Sequence, residues 1–160
     1  MTLTELYKET PLGPVNFNGM VVQRDIEFPV NTGDRFEFTV LKQRLDVKQV
    51  IHVHGYDCSL DVDGTRGSVF VLWTEGLKPN GRKANATVLT AKTKAIFRVY
   101  NGWQPPHTGA VDAFLNESGM NVVRIGPGDE EHFLFRCSSG YGPVDFDSLV
   151  FELKIIRAKE

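Results

Sequence analysis

Histidine is the side chain best suited to bind a metal or move a proton near neutral pH, and four occur in this chain of 160 residues. Two stand in Ile51-His-Val-His54. Positions i and i+2 of a strand point the same way, so His52 and His54 have the spacing to chelate a metal. A third, His132, ends the run Pro127-Gly-Asp-Glu-Glu and completes a candidate ligand set. The alternation also supports a plainer reading, in which Ile51 and Val53 face a core while His52 and His54 face solvent or a neighbouring subunit. If the histidines were ligands, a second sheet or another protein would have to cover Ile51 and Val53.

Other constellations do less. The acidic stretch Asp57-Cys-Ser-Leu-Asp-Val-Asp-Gly64 fits no calcium-loop register: counted from Asp57 the sixth position is Val62, and counted from Ser59 the twelfth is Phe70. A type I′ hairpin turn at Asp63-Gly64 accounts for that glycine. Ser138 and Ser139, in Cys-Ser-Ser-Gly-Tyr-Gly, lack the G-x-S-x-G elbow of a nucleophilic serine. Cys137 alternates with Phe135 and Phe133 and reads as a buried apolar residue. No glycine-rich loop leads into a helix, so a phosphate cradle is not expected. Catalytic residues and cofactors are therefore both expected to be none. Among aromatics near turns, Trp73, Tyr100, Trp103 and Tyr141 are candidates for a sugar-binding face. Trp73 shares a strand face with Val69 and Val71 and reads as core. Trp103, in Asn101-Gly-Trp-Gln-Pro-Pro, reads as the best exposed anchor for a ligand or another subunit.

These residues must be positioned by strands. In Arg35-Phe-Glu-Phe-Thr-Val-Leu, Phe36, Phe38 and Val40 share one face, and Arg35, Glu37 and Thr39 take the other. The same alternation marks residues 20–28, 47–54, 68–74, 83–90, 94–100, 120–125, 131–137 and 148–156. Turn signals separate them, at Asn31-Thr-Gly-Asp, Asp63-Gly64, Pro79-Asn-Gly81, Gly126-Pro-Gly-Asp and Gly140-Tyr-Gly-Pro143. The pattern predicts an all-β, antiparallel β-sandwich of about eight to nine strands over residues 20–160. Residues 1–19 read as a short extended N-terminal arm, with Pro11, Gly13 and Pro14 opposing regular structure. Two short helical hints remain: Thr2-Leu-Thr-Glu5 has the form of a capping box, and 110–116 has room for one or two turns. The longest irregular stretch, 101–119, carries Trp103, Pro105, Pro106 and His107. With Tyr141 these are the candidate subunit-contact residues.

Composition narrows the classes. Lys and Arg number 18 against 20 Asp and Glu, for a formal net charge of −2, which excludes a globally basic nucleic-acid binder. Eleven Phe residues supply core enough to exclude a disordered chain. No apolar run approaches the ~18 residues of a membrane span, and the first residues lack the apolar stretch of a signal peptide, so no membrane insertion is expected. Cys58 and Cys137 are expected as two reduced thiols, with a single disulfide left open. Asn85-Ala-Thr and Asn116-Glu-Ser match the glycosylation pattern, which carries meaning only with secretion.

Two family resemblances enter at these residues. His52, His54 and His132 together resemble the ligand set of the cupins. The glutamate that follows HxH in that family is missing, since Gly55, Tyr56, Asp57, Cys58 and Ser59 stand there, and the gap to His132 is long. The second resemblance covers residues 48–156. It consists of Val50-Ile-His-Val, an acidic turn, Gly67-Ser-Val-Phe-Val-Leu-Trp, a loop with Pro79 and Arg82, the strand 94–100, and Phe133-Leu-Phe-Arg-Cys137 followed by 146–156. This order is similar to the jelly-roll coat proteins of picorna-like plant viruses, most of all the small coat protein of the comoviruses. The short chain suggests a relative with three separate coat proteins, and Met1 would fit polyprotein cleavage as well as initiation. The resemblance implies a structural capsid protein and not an enzyme, found in the virion and assembled in the host-cell cytoplasm. Its partners would be other coat-protein subunits and an enclosed viral RNA under at most weak, non-specific contact. The arm departs from a basic RNA-binding arm, carrying Lys8 against Glu5 and Glu9. The basic residues Lys154, Arg157 and Lys159 could touch RNA but read first as a solvated strand end or subunit contact. A cupin-like metal enzyme and a carbohydrate-binding sandwich remain as alternatives.

Overall fold

The computed structural model describes residues 1–77 and 83–159, and the turn expected at Pro79-Asn-Gly81 lies outside them. The chain runs through a helical turn α1 (Leu3–Leu6) and strands β1 (Val15–Phe17), β2 (Met20–Val22), β3 (Ile26–Pro29), β4 (Arg35–Gln43), β5 (Lys48–Val62), β6 (Thr65–Gly67) and β7 (Val69–Trp73). After a 3-10 turn at Thr74–Gly76 come β8 (Lys83–Gln104), β9 (Gly119–Arg124), β10 (Glu131–Ser138) and β11 (Leu149–Ile156). The expected all-β sandwich is what the sequence builds. Among the described residues nine strands form one antiparallel sheet in the order β6-β5-β8-β4-β11-β10-β9, with β3 added to β8 and β7 to β5.

One sheet makes two layers because its two longest strands bend. Register shifts interrupt the β5–β8 ladder between Tyr56 and Cys58 and between Ser59 and Leu60, and Asp57 and Lys94 take φ of 56° and 69°. A bulge adds a residue and so reverses which parity faces the core. Accordingly β8 buries Ala84, Ala86 and Val88 before the bend and Ala95, Phe97 and Val99 after it; β5 buries Ile51 and Val53, then Leu60 and Val62. The reversal keeps the apolar side inward in both halves, which is why 83–90 and 94–100 form one strand and not two. Across the layers Phe36 stacks on Phe97 with centroids 3.7 Å apart, and Phe28 meets Phe133 at 5.4 Å. Each such pair adds about 0.5–1.5 kcal/mol beyond the area it buries.

Residues 1–19 are not an extended arm. Thr2 caps α1 by accepting a hydrogen bond from the Glu5 amide at 3.1 Å, as the capping box requires. Leu3, Tyr7, Val15 and Val22 are buried together in a second, smaller core. Pro11, Gly13 and Pro14 lie in the link from α1 to β1, so the backbone limits they impose shape a turn and leave the flanking elements intact. β1 pairs with β2 across the expected boundary. The helical hint at 110–116 also gives way: Phe114 and Asn116 have positive φ, 59° and 53°. The hairpin turn at Asp63-Gly64 is as expected, with both residues at positive φ (48° and 94°). Both cysteines are free thiols, Cys137 fully buried and Cys58 half-buried. No helix among the described residues is long and apolar enough to cross a membrane.

Candidate functional site

The three histidines are not brought together. His52 and His54 lie on β5, turned away from the core that holds Ile51 and Val53 at 0% exposure, while His132 lies on β10, four places along the sheet. His132 Nε2 is 3.2 Å from Glu152 Oε2 on neighbouring β11. Among the described residues no group of three His, Cys, Asp or Glu could hold a metal. The cupin-like reading therefore loses its ligand set.

The outer face of β5 and β8 carries an aromatic layer instead. His52 stacks on Tyr100 (centroids 4.4 Å apart) and His54 on Tyr56 (4.0 Å). Arg98 sits over Tyr100 at 4.9 Å and Phe114 at 5.1 Å. Its Nε donates to Asp25 Oδ2 at 2.7 Å, and its Nη1 to the Tyr56 hydroxyl at 3.3 Å. This ion pair is mostly enclosed, the two side chains being 16% and 14% exposed. Phe114 reaches the layer from the 105–118 connection, which returns to β8 through reciprocal backbone hydrogen bonds between Trp103 and Asp112 (3.1 and 2.8 Å). Beneath it the His52 Nε2 is buried without a hydrogen-bond partner among the described residues. Burial pushes the His52 pKa from 6.5 down to about 4. His54 is lowered as well, by burial and then by the Arg98 charge. A neutral imidazole stacked on an aromatic ring is a packing element here.

The candidate contact residues separate. Trp103, expected as an exposed anchor, is 1% exposed. It lies within β8, and its indole packs against Gly140, where any Cβ would overlap the ring. A sugar platform of Trp103 and Tyr141 therefore does not form. Tyr141 is exposed, His107 is exposed with φ of 68°, and Pro105 and Pro106 are half-buried. Lys154 and Arg157 face carboxylates of their own chain: Lys154 Nζ is 3.2 Å from Glu130, and Arg157 lies 2.8 Å from Asp34 and 2.6 Å from Glu131. A hollow of ≈ 500 Å³ at the bend of β5 and β8 is lined by Asp57, Cys58, Ser59, Thr90 and Lys92 among others. Two of its hydroxyls, those of Ser59 and Thr90, bond each other at 2.6 Å.

Sequence reasoning misplaced β7. Val69 and Val71, read as core with Trp73, are 58% and 40% exposed, and the inward residues are Phe70 and Leu72. The run Val-Phe-Val-Leu-Trp is apolar on both faces, so alternation carries no phase. Among the described residues it is an edge strand, without the charge or proline that usually protects one. No protein-family model matches the chain, and no curated protein matches it at a significant level.

Proposed function

We propose that this chain is a structural capsid protein, one of several sandwich subunits of an icosahedral shell around a viral RNA genome. The observation that carries this reading is the placement of apolar residues at exposed rim positions of an otherwise well-packed sandwich. Val69 and Val71 on β7, Val123 on β9 and Ile125 just beyond it, and Leu41, Leu45, Tyr141 and Val144 are all exposed. A subunit surrounded by neighbours uses such residues; a protein that stays alone exposes them at the risk of aggregation. The pairing of β4, the first long strand, with the last strand β11 is of Greek-key kind. The meander β9-β10-β11 departs from the two-Greek-key order of a viral jelly roll. The net charge of −2 and the internal pairing of Lys154 and Arg157 support a shell that encloses RNA without gripping it. In this reading the protein resides in the virion, is assembled in the host-cell cytoplasm, and catalyses nothing.

The test is electron microscopy of source material labelled with an antibody against the purified chain. Label on spherical particles of uniform diameter, with nuclease-protected RNA and further coat subunits in the same fraction, is the expected result. Label confined to free protein would remove the proposal.

A further inference from the structure

We infer that two copies of this chain associate through the free edge of β7, antiparallel and centred on Val71. The inference does not rest on the shell reading, because self-pairing of this edge would serve any homo-oligomer.

The phase of the β5–β7 ladder provides the first support. The Gly55 amide donates to the Ser68 carbonyl at 2.7 Å, in register with the pairs Val53–Phe70 and Ile51–Leu72. In an antiparallel ladder, hydrogen-bonded and non-hydrogen-bonded pairs alternate. Ser68, Phe70 and Leu72 therefore exchange bonds with β5, and the backbone groups of Val69, Val71 and Trp73 point to the other side. Among the described residues β7 pairs with β5 alone. A row of donors and acceptors is thus presented outward, in the arrangement a second strand needs.

The side chains provide the second. Phe70 and Leu72 pack against the main core yet are only partly buried, because nothing among the described residues covers that edge. Val69 and Val71 are exposed on the opposite face. β7 contains no charged residue and no proline, the usual protections of a solvent-facing edge.

Self-complementarity identifies the occupant. About a two-fold axis at Val71, Val71 faces its own copy, Phe70 faces Leu72, and Val69 faces Trp73. All three pairings are apolar, and the Val71 and Val69–Trp73 positions are those whose backbone groups point outward. The exposed Arg66 lies before this centre and the exposed Glu75, whose carboxylate is 3.3 Å from Lys48 Nζ of its own chain, after it. Two-fold symmetry brings each toward the opposite charge of the other copy. An isologous contact of this kind closes at two subunits. One short strand pair is a small interface, so association is expected in about the micromolar range.

The experiment is sedimentation equilibrium of the full chain over roughly 1–200 μM, a range bracketing that affinity. A monomer–dimer equilibrium is expected. Val71→Lys should leave the fold intact by circular dichroism and abolish the dimer. Arg66→Glu should weaken the dimer by about tenfold, since charge reversal acts at two symmetric contacts. The double variant Arg66→Glu, Glu75→Arg should recover part of that loss, the new arginine also standing beside Lys48. Should Val71→Lys fail to fold, amide hydrogen exchange of the unmodified chain gives the answer: Val69 and Val71 amides protected only at high concentration support the pairing, and protection independent of concentration overturns it. A monomer throughout, a dimer that survives Val71→Lys in a folded protein, or open polymers would each overturn it.

Discussion

Two edge strands of the sheet, β9 and β7, are treated differently by the chain. At β9 the N-terminal segment closes the edge: Gln23 and Met120 exchange backbone hydrogen bonds at 3.0 and 2.7 Å, and the Asn121 side-chain amide donates to the Val21 carbonyl at 2.9 Å. Where this cover stops, Arg124 stands between the exposed Val123 and Ile125. At β7 no described segment plays that part, and the strand carries no charge of its own. An edge strand needs a cover, a charge or a partner. β9 has the first two, which leaves the third for β7, and the contrast turns an exposed valine pair into a specific expectation about assembly.

The largest effect should come from removing the cover. Leu3 is 0% exposed and sits in the small core with Tyr7, Val15 and Val22. Leu3→Ala should cost about 2–5 kcal/mol in that unit. Loosening it releases the Gln23–Met120 pairing, so the Met120 amide should lose exchange protection while the Phe97 amide keeps its own. A cost below about 1 kcal/mol in urea unfolding would mean that β9 is closed by something other than this cap.

A smaller effect is expected at the anchor of the cap. Glu117 accepts from the Leu3 amide at 2.8 Å, from the Thr4 amide at 3.3 Å and from the Thr4 hydroxyl at 2.9 Å. It thereby satisfies amides that a helix start leaves without partners. Glu117→Ala should cost about 1–2 kcal/mol, read by urea unfolding, with Glu117→Gln intermediate because an acceptor oxygen remains. Equal stability of all three proteins would show that the anchor contributes nothing and that apolar packing alone holds the cap.

Much of this contrast was legible in the amino-acid order and part of it was not. Alternation located β4, β10 and β11 because each has one apolar face. It also oriented His52 and His54 away from the core correctly. It could not orient β7, where both faces are apolar, nor foresee that β8 runs unbroken from Lys83 to Gln104 through a change of parity. Trp103 looked exposed because its neighbours are glycine and proline. Its burial depends on Gly140, which local pattern cannot pair with it. The folded N-terminus was half visible in the capping box at Thr2, but its partner Glu117 lies more than a hundred residues away.

The smallest effect tests the β7 side through pH. His52 is paired in register with Val71 on one side and Tyr100 on the other. Near it lie Arg98, Asp25, His54 and Tyr56 in the aromatic layer, and the Asp112 carbonyl beside Gly102. Burial holds its pKa at about 4 against 6.5 for the free side chain. Between those values the unfolded chain binds a proton that the folded chain does not. The contribution of neutral His52 is therefore fully present above 6.5 and is lost as pH falls from 6.5 toward 4. At about pH 5.5 the loss should be of order 1 kcal/mol. His52→Phe keeps a ring against Tyr100 and removes the titration, so its stability should fall less between neutral pH and about pH 5.5 than that of the unmodified chain. Corrected for the intrinsic slowing of exchange in acid, the protection factor should fall at Tyr100 and not at Met120, because the buried imidazole lies beneath the 105–118 connection with Tyr100 as its register partner on β8. Identical acid sensitivity in the two proteins would place the titrating group elsewhere and leave the two edges equally indifferent to pH.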